Sequence, residues 1–305
     1  MILSKKAKEI SPSVTLAITA KAKEMMKEGK DVISFGVGEP DFNTPKNIQD
    51  AAIKAIQSGL TRYTAASGIP ELKQAIVEKF KKDNNLNYNI DNIIISTGAK
   101  QCLDNAFKAI LNPGDEVLVP IPYWVSYPEL IKMSDGVPVF VENRAKDNYK
   151  YTLESLEKFV TPKTKALILN SPNNPTGSIY SKEELEKIAE FAKKHNLIII
   201  SDEVYEKLIY GDNKHISIAS LSEDSFKRTI VINGVSKAYA MTGWRIGYAA
   251  GDKEIIKLMS SVQSHTTSNP NSIAQYAALE ALTGSQDSIK EMVAEFEKTK
   301  RIYDF

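Results

Sequence analysis

Short apolar, β-branched runs recur along the chain between turn residues: Ile93–Ile95, Val117–Val119, Val137–Val141, Ala166–Leu169, Leu197–Ile200 and Thr229–Ile232. Runs of this length and composition predict buried strands. Between several of them the apolar spacing turns helical, over Lys100–Ile110, Tyr123–Met133, Leu153–Phe159 and Ser181–His195. Ser181 stands three residues before Glu184, the spacing of a capping box, and Asn112-Pro113-Gly114-Asp115 reads as a stop followed by a turn. Strands alternating with helices predict an α/β fold, a mostly parallel sheet covered on both faces, with ligands bound on loops at the strand ends. A last Lys- and Glu-rich helical pattern, Ile289–Phe305, stops without a closing glycine or proline.

A length of 305 residues allows one large domain or two ordinary ones, and 42% hydrophobic with 25% charged residues is a globular profile. No repeat, low-complexity tract or Gly/Ser linker marks a boundary. The 39 basic and 38 acidic side chains leave a net charge of +1, so no electrostatic footprint favours nucleic acid or an anionic membrane. Small molecules are the expected partners. Cys102 is the single cysteine, which excludes an intrachain disulfide, and the three histidines are too scattered to predict a metal site. No run approaches the roughly 20 apolar residues of a membrane span, and Met1–Lys8 lacks a signal-peptide core, so a cytoplasmic location is expected.

Four segments carry candidate chemistry. Asn233-Gly234-Val235-Ser236-Lys237 follows an apolar run and leads through Met241-Thr242-Gly243-Trp244 to Arg245. A lysine on such a turn suits a covalent cofactor anchor, provided that burial or a second cation keeps its amine deprotonated, and Arg245 suits a phosphate fork. Alone, the pair fits solvated surface charges equally well. Ser96-Thr97-Gly98-Ala99-Lys100 runs from a strand into a helix and presents free N–H groups to an anion, or is a plain tight turn. Asn170-Ser171-Pro172-Asn173-Asn174-Pro175 is a proline-stiffened loop that leaves the Asn174 amide free. Asp202 ends an apolar run and would share a face with Tyr205 if a helix began there; it fits a helix cap as well.

In order and type these segments resemble the fold-type I pyridoxal-phosphate enzymes, in particular the class I aminotransferases of the prokaryotic aspartate type, from about Ser11 to the end. The resemblance implies a three-layer α/β/α large domain over 46–285, an N-terminal arm and substrate strap over 1–45, and at 286–305 the start of a helix leading to a small domain. It implies pyridoxal 5'-phosphate as cofactor. Lys237 would be the Schiff-base lysine and proton carrier, Asp202 the partner of the pyridine nitrogen, and Tyr205 and Asn174 the donors to the ring oxygen. Gly98, Ala99, Lys100 and Arg245 would hold the phosphate and Trp124 would stack on the ring. Tyr63 would reach the phosphate of a neighbouring subunit, which implies a homodimer with shared sites.

For the substrate, the resemblance points to Gly38 in Phe35-Gly36-Val37-Gly38-Glu39, to Trp124 and Asn174, and to Thr15 and Lys108 near a distal carboxylate; Lys108 also fits a solvated helix charge. Family members continue beyond Phe305 by on the order of 100 residues, and the arginine that grips the substrate α-carboxylate falls there. The expectation is a transaminase of amino and 2-oxo acids, aspartate with 2-oxoglutarate foremost, in an incomplete form that binds cofactor and turns over poorly. An aromatic aminotransferase, a β-lyase or a catalytically silent cofactor-binding fragment would share the ring contacts.

Overall fold

A computed structural model describes residues 2–34, 36 and 38–303. Its strands are β1 (Ile93–Ser96), β2 (Glu116–Ile121), β3 (Val137–Glu142), β4 (Thr164–Asn170), β5 (Ile198–Asp202), β6 (Thr229–Gly234) and β7 (Gly247–Ala250). They form one sheet in the order β1-β7-β6-β5-β4-β2-β3, parallel throughout except for β7, which runs antiparallel to both of its neighbours. The α/β fold expected from the alternating pattern is therefore the one observed.

The strand residues explain the layers. Successive side chains point to opposite faces, so Ile93, Ile95 and Val231 pack on one side, with Leu72, Ile76 and Phe80 of helix Pro70–Asn84 and Ala277 of helix Ser272–Thr283. Ile94, Ile230 and Ile232 pack on the other, with Leu103 and Phe107 of helix Ala99–Ile110 and Met259 of helix Lys253–Thr266. Further along, Leu167 and Leu169 pack beneath Leu185 and Ile188 of helix Lys182–Lys194. Each fully buried side chain of this kind stabilises the fold by about 1.5–3 kcal/mol. The Ser181–Glu184 capping box forms, with Ser181 as the N-cap.

Two local readings are corrected, and one strand carried no signal at all. The run Val137–Val141 is an edge strand, not a buried one: Val137 and Phe140 stay exposed, and Pro138 is accommodated because an edge strand can spare an N–H. Tyr123, Trp124 and Val125 precede the helix, which spans Ser126–Met133. Strand β7 lies in a short Gly-Tyr-Ala-Ala stretch that carried no signal. The terminal helix spans Asp287–Tyr303 and packs Ile289 and Met292 into the core; Asp304 and Phe305, like Phe35 and Val37 of the expected strap, lie outside the described residues. Among the described residues no helix is long and apolar enough to cross a membrane.

One buried ion pair ties the helix layer to the segment after β5. Lys79 on helix Pro70–Asn84 pairs with Glu206, each side chain 6% exposed, and Asn84 donates to Glu206 at 2.7 Å. Burial works against the Glu206 charge, but Lys79, His215 and Asn84 hold its carboxyl down at about 2. Replacing Lys79 by Met strands that carboxylate, and Lys79→Met is expected to lower unfolding stability in urea by about 3–5 kcal/mol at pH 7; a loss under 1 kcal/mol would contradict this description of the pair.

Candidate active site

The directions of the strands decide where a site can form. β1, β2, β4, β5 and β6 all end on one edge of the sheet, and the antiparallel β7 starts from that same edge, with Gly247 beside Ser96 and Gly234. The loops following β1, β4, β5 and β6, and the turn entering β7, therefore surround one cavity of about 820 Å³. It is lined by Ala99 and Lys100 after β1, Asn174 after β4, Asp202 and Tyr205 at and after β5, Lys237 after β6 and Arg245 before β7. Trp124, Gly38 and Thr15 complete the wall.

Gly98 makes the anion end of this cavity possible. Its backbone is left-handed (φ +82°), and a Cβ there would lie 2.8 Å from the Arg245 guanidinium carbon. Gly247 presses from behind, where a Cβ would meet Ala99 Cα at 2.7 Å. Helix Ala99–Ile110 opens with no side-chain cap, so the N–H groups of Ala99 and Lys100 at its first turn are open to an anion, while that of Gln101 donates to the Gly98 carbonyl. Arg245 faces the same space, its Nη1 donating to the Thr242 carbonyl at 2.9 Å.

At the far end, Asp202 is buried. Tyr127 donates to its Oδ2 at 2.7 Å, while Oδ1 receives only the long 3.4 Å bond from the Val204 N–H. Burial is the main reason that its carboxyl is pushed up to about 6, against the Tyr127 and Val204 bonds and with help from Glu203. Asn170 ties two loops together: its Nδ2 donates to the Asp202 carbonyl at 2.9 Å and its Oδ1 accepts from the Asn174 N–H at 2.7 Å. The Asn174 amide then donates to the Tyr205 hydroxyl at 3.4 Å. Burial, with Asp202, pushes that phenol up to about 12.

Lys237 lies between these ends. Its Nζ donates to the Gly38 carbonyl at 2.5 Å and sits 5.6 Å from the centre of the Tyr205 ring. Burial, with a smaller push from Arg245 and an opposing pull from Glu39, holds its amine below the usual lysine range. Lys100 is lowered for the same two reasons, burial and Arg245, and lies 5.0 Å over the Trp124 ring. An amine that gives up its proton easily, a buried acid and an anion cradle in one cavity can hold a phosphorylated aldehyde with a basic ring nitrogen.

Not every expected residue arrives. Lys108 does not line the cavity; it pairs with Asp104 one helical turn away, at 2.6 Å. Tyr63 is 91% exposed and does not line this chain's own cavity. Asp202 and Tyr205 do meet, but through turns after β5 and not on a helix face. Tyr127 and Asn170 hold the acid and the loops, and no local pattern marked them because both act across distant segments. The terminal helix adds Phe296 to the wall.

This sheet and cavity are those of an α/β protein whose strand-end loops can hold a phosphorylated cofactor. The sequence profile of the aminotransferase class I and II family matches residues 30–303, and the chain belongs to that family, whose cofactor is pyridoxal 5'-phosphate. An aspartate aminotransferase of Bacillus sp. (strain YM-2) is 57% identical over 296 residues, covering 97% of this chain and 76% of the relative. A probable aspartate/prephenate aminotransferase of Rickettsia conorii is 52% identical, covering 95% and 72%. Among solved structures, the aspartate aminotransferase of Thermus thermophilus with maleate superposes with a TM-score of 0.94 at 45% identity, covering 99% of this chain and 78% of that one.

Two outcomes test this description of the site. Gly98→Ala should weaken binding of pyridoxal phosphate by about tenfold or more in calorimetric titration, because the new methyl displaces Arg245. The Asp202 carboxyl, raised on folding, binds its proton more tightly in the folded chain, so it costs stability as pH climbs from about 4, its unfolded value, through about 6. Cofactor-free Asp202→Asn should therefore be more stable than the parent by about 1–3 kcal/mol at pH 8 in urea, the gap narrowing towards pH 5; an equal or lower stability at pH 8 would contradict the burial argument.

Proposed function

We propose that this enzyme moves the amino group of aspartate to 2-oxoglutarate, with Lys237 as the reacting amine and Asp202 as the acid beneath the ring nitrogen. The observation that carries the reading is the convergence of Lys237, Asp202 and Arg245 on one cavity from three separate strand ends. The relatives named aspartate aminotransferase support the choice of substrate. Pyridoxal phosphate supplies an aldehyde that condenses with amines and a ring that takes up the electron pair left when an α-proton departs.

The residues supply the rest. Lys237, whose amine burial holds below the usual lysine range, gives up its proton more readily than an exposed lysine and would be placed to move the proton at the substrate α-carbon. Asp202 is ionised above about pH 6 and has Oδ1 free to accept from a protonated ring nitrogen. Tyr205 and Asn174 would donate to the ring oxygen, Trp124 would cover the ring face, and Arg245 with Gly98, Ala99 and Lys100 would hold the phosphate. Gly38, whose carbonyl already meets Lys237, and Thr15 line the substrate side.

The exposed Tyr63 ring supports a homodimer in which that residue serves the neighbouring cavity, and the single cysteine suits a reducing cytoplasm. With cofactor bound, aspartate is expected to change the visible spectrum and release oxaloacetate stoichiometrically, and Lys237→Ala to abolish the release of oxaloacetate while still binding the cofactor. Amination of prephenate, in addition to release of oxaloacetate from aspartate, would instead favour the aspartate/prephenate subgroup represented in Rickettsia.

A further inference from the structure

Immediately after Asp202 the chain turns its next side chain away from the cavity. Glu203, 1% exposed, accepts from Ser201 and Ser217 at 2.7 Å each and meets His215 Nε2 at 2.9 Å. His215 is itself 7% exposed, and its Nδ1 has no partner. One turn on, Glu206 is held by Lys79 and Asn84. One ligand atom from each of Glu203, Glu206 and His215 fits within 4.8 Å, although the histidines are scattered in sequence. The cluster is closed, because Lys79 already sits on Glu206 and the imidazole on Glu203.

The charge count follows from these contacts. Three carboxylates, Asp202, Glu203 and Glu206, are buried along this segment; Lys79 pairs with Glu206 and His215 with Glu203. The phenols packed around them, Tyr88, Tyr239 and Tyr248, are kept protonated by burial, and Asp83 is paired with Lys207 at 2.7 Å. With His215 protonated, the uncompensated anion is Asp202. With His215 neutral, a second uncompensated carboxylate lies one residue from it.

We propose that His215 is a positioning residue for the ring-nitrogen site: as an imidazolium on Glu203 it neutralises the carboxylate beside Asp202, and its charge sets how tightly Asp202 holds a proton. The proposal rests on the role given to Asp202 above. Burial opposes a charged His215, but Glu203, through both charge and hydrogen bond, and Glu206 raise it above the usual histidine value despite Lys79. Glu203 in turn raises Asp202. The direction is therefore fixed: removing the imidazolium exposes Asp202 to the full Glu203 charge and strengthens its hold on a proton.

The test is the carboxyl carbon resonance of Asp202 in aspartate-labelled, cofactor-free protein, identified by its loss in Asp202→Asn and followed against pH. His215→Gln keeps a donor to Glu203 without the charge and should raise the Asp202 midpoint by about half to one pH unit. Glu203→Gln should lower it, and adding His215→Gln to Glu203→Gln should then move it far less than His215→Gln moves the parent, since the imidazole has lost its bonded carboxylate and keeps only Glu206, which Lys79 already pairs. A role in packing alone predicts unchanged midpoints in every folded variant, and that result overturns the proposal, as does an additive effect of the histidine in the Glu203→Gln background. Pyridoxal phosphate is then added to the parent and to Asp202→Asn. If the midpoints shift as expected but the two bind cofactor equally well, the coupling between His215 and Asp202 stands and the role of Asp202 at the ring nitrogen falls.

Discussion

The cavity depends on one close approach of backbone to backbone. Where β1 gives way to its helix, the turn at Gly98 is pressed between Arg245 on one side and Gly247 on the other, with no room for a Cβ at either glycine. That contact is possible because β7 is antiparallel between two strands that point the other way, so the chain re-enters the sheet at the edge where the others leave it. The anion cradle is thus a consequence of topology. A single extra methyl at Gly98 or Gly247 would disturb the helix N-terminus, the guanidinium and the sheet register together.

Charge is distributed with the same economy of position. Lys237, Lys100 and Arg245 crowd the cavity, and the two lysines are lowered partly by that shared positive field. Beneath the floor lies the opposite arrangement, buried carboxylates held by Lys79, His215, serines and Asn84. Asp202 stands at the boundary, bonded by Tyr127 below and open above. The site is poised and costly: an acid raised by burial and amines lowered by burial each stabilise the folded chain less than their exposed counterparts would.

The fold was legible in the sequence because its strands are buried on both faces and so stand out as apolar runs, Ile93–Ile95 and Thr229–Ile232 being the plainest. The reading went astray where burial is incomplete or the element too short. Val137–Val141 has strand composition, yet lies at the sheet edge, and Gly247–Ala250 is four small residues whose pairing is decided by its neighbours. The segments carrying Lys237, Asp202, Asn174 and Gly98 were visible as turns after strands, and the structure brings all four to one cavity. Tyr127, Asn170 and the Glu203–His215 pair were not visible, since each works through a bond to a segment that no local pattern connects to it. Lys108 follows the second of its two readings, a helix charge, with its partner Asp104 one helical turn away.

The most direct test of the account is to incubate the chain with pyridoxal phosphate, reduce it with borohydride and map the modified peptide. The account predicts a single stoichiometric adduct on Lys237, formed despite the many other lysines because its amine is lowered by burial within the cavity that holds the phosphate cradle. Modification spread over surface lysines, with Lys237 unlabelled, would contradict it.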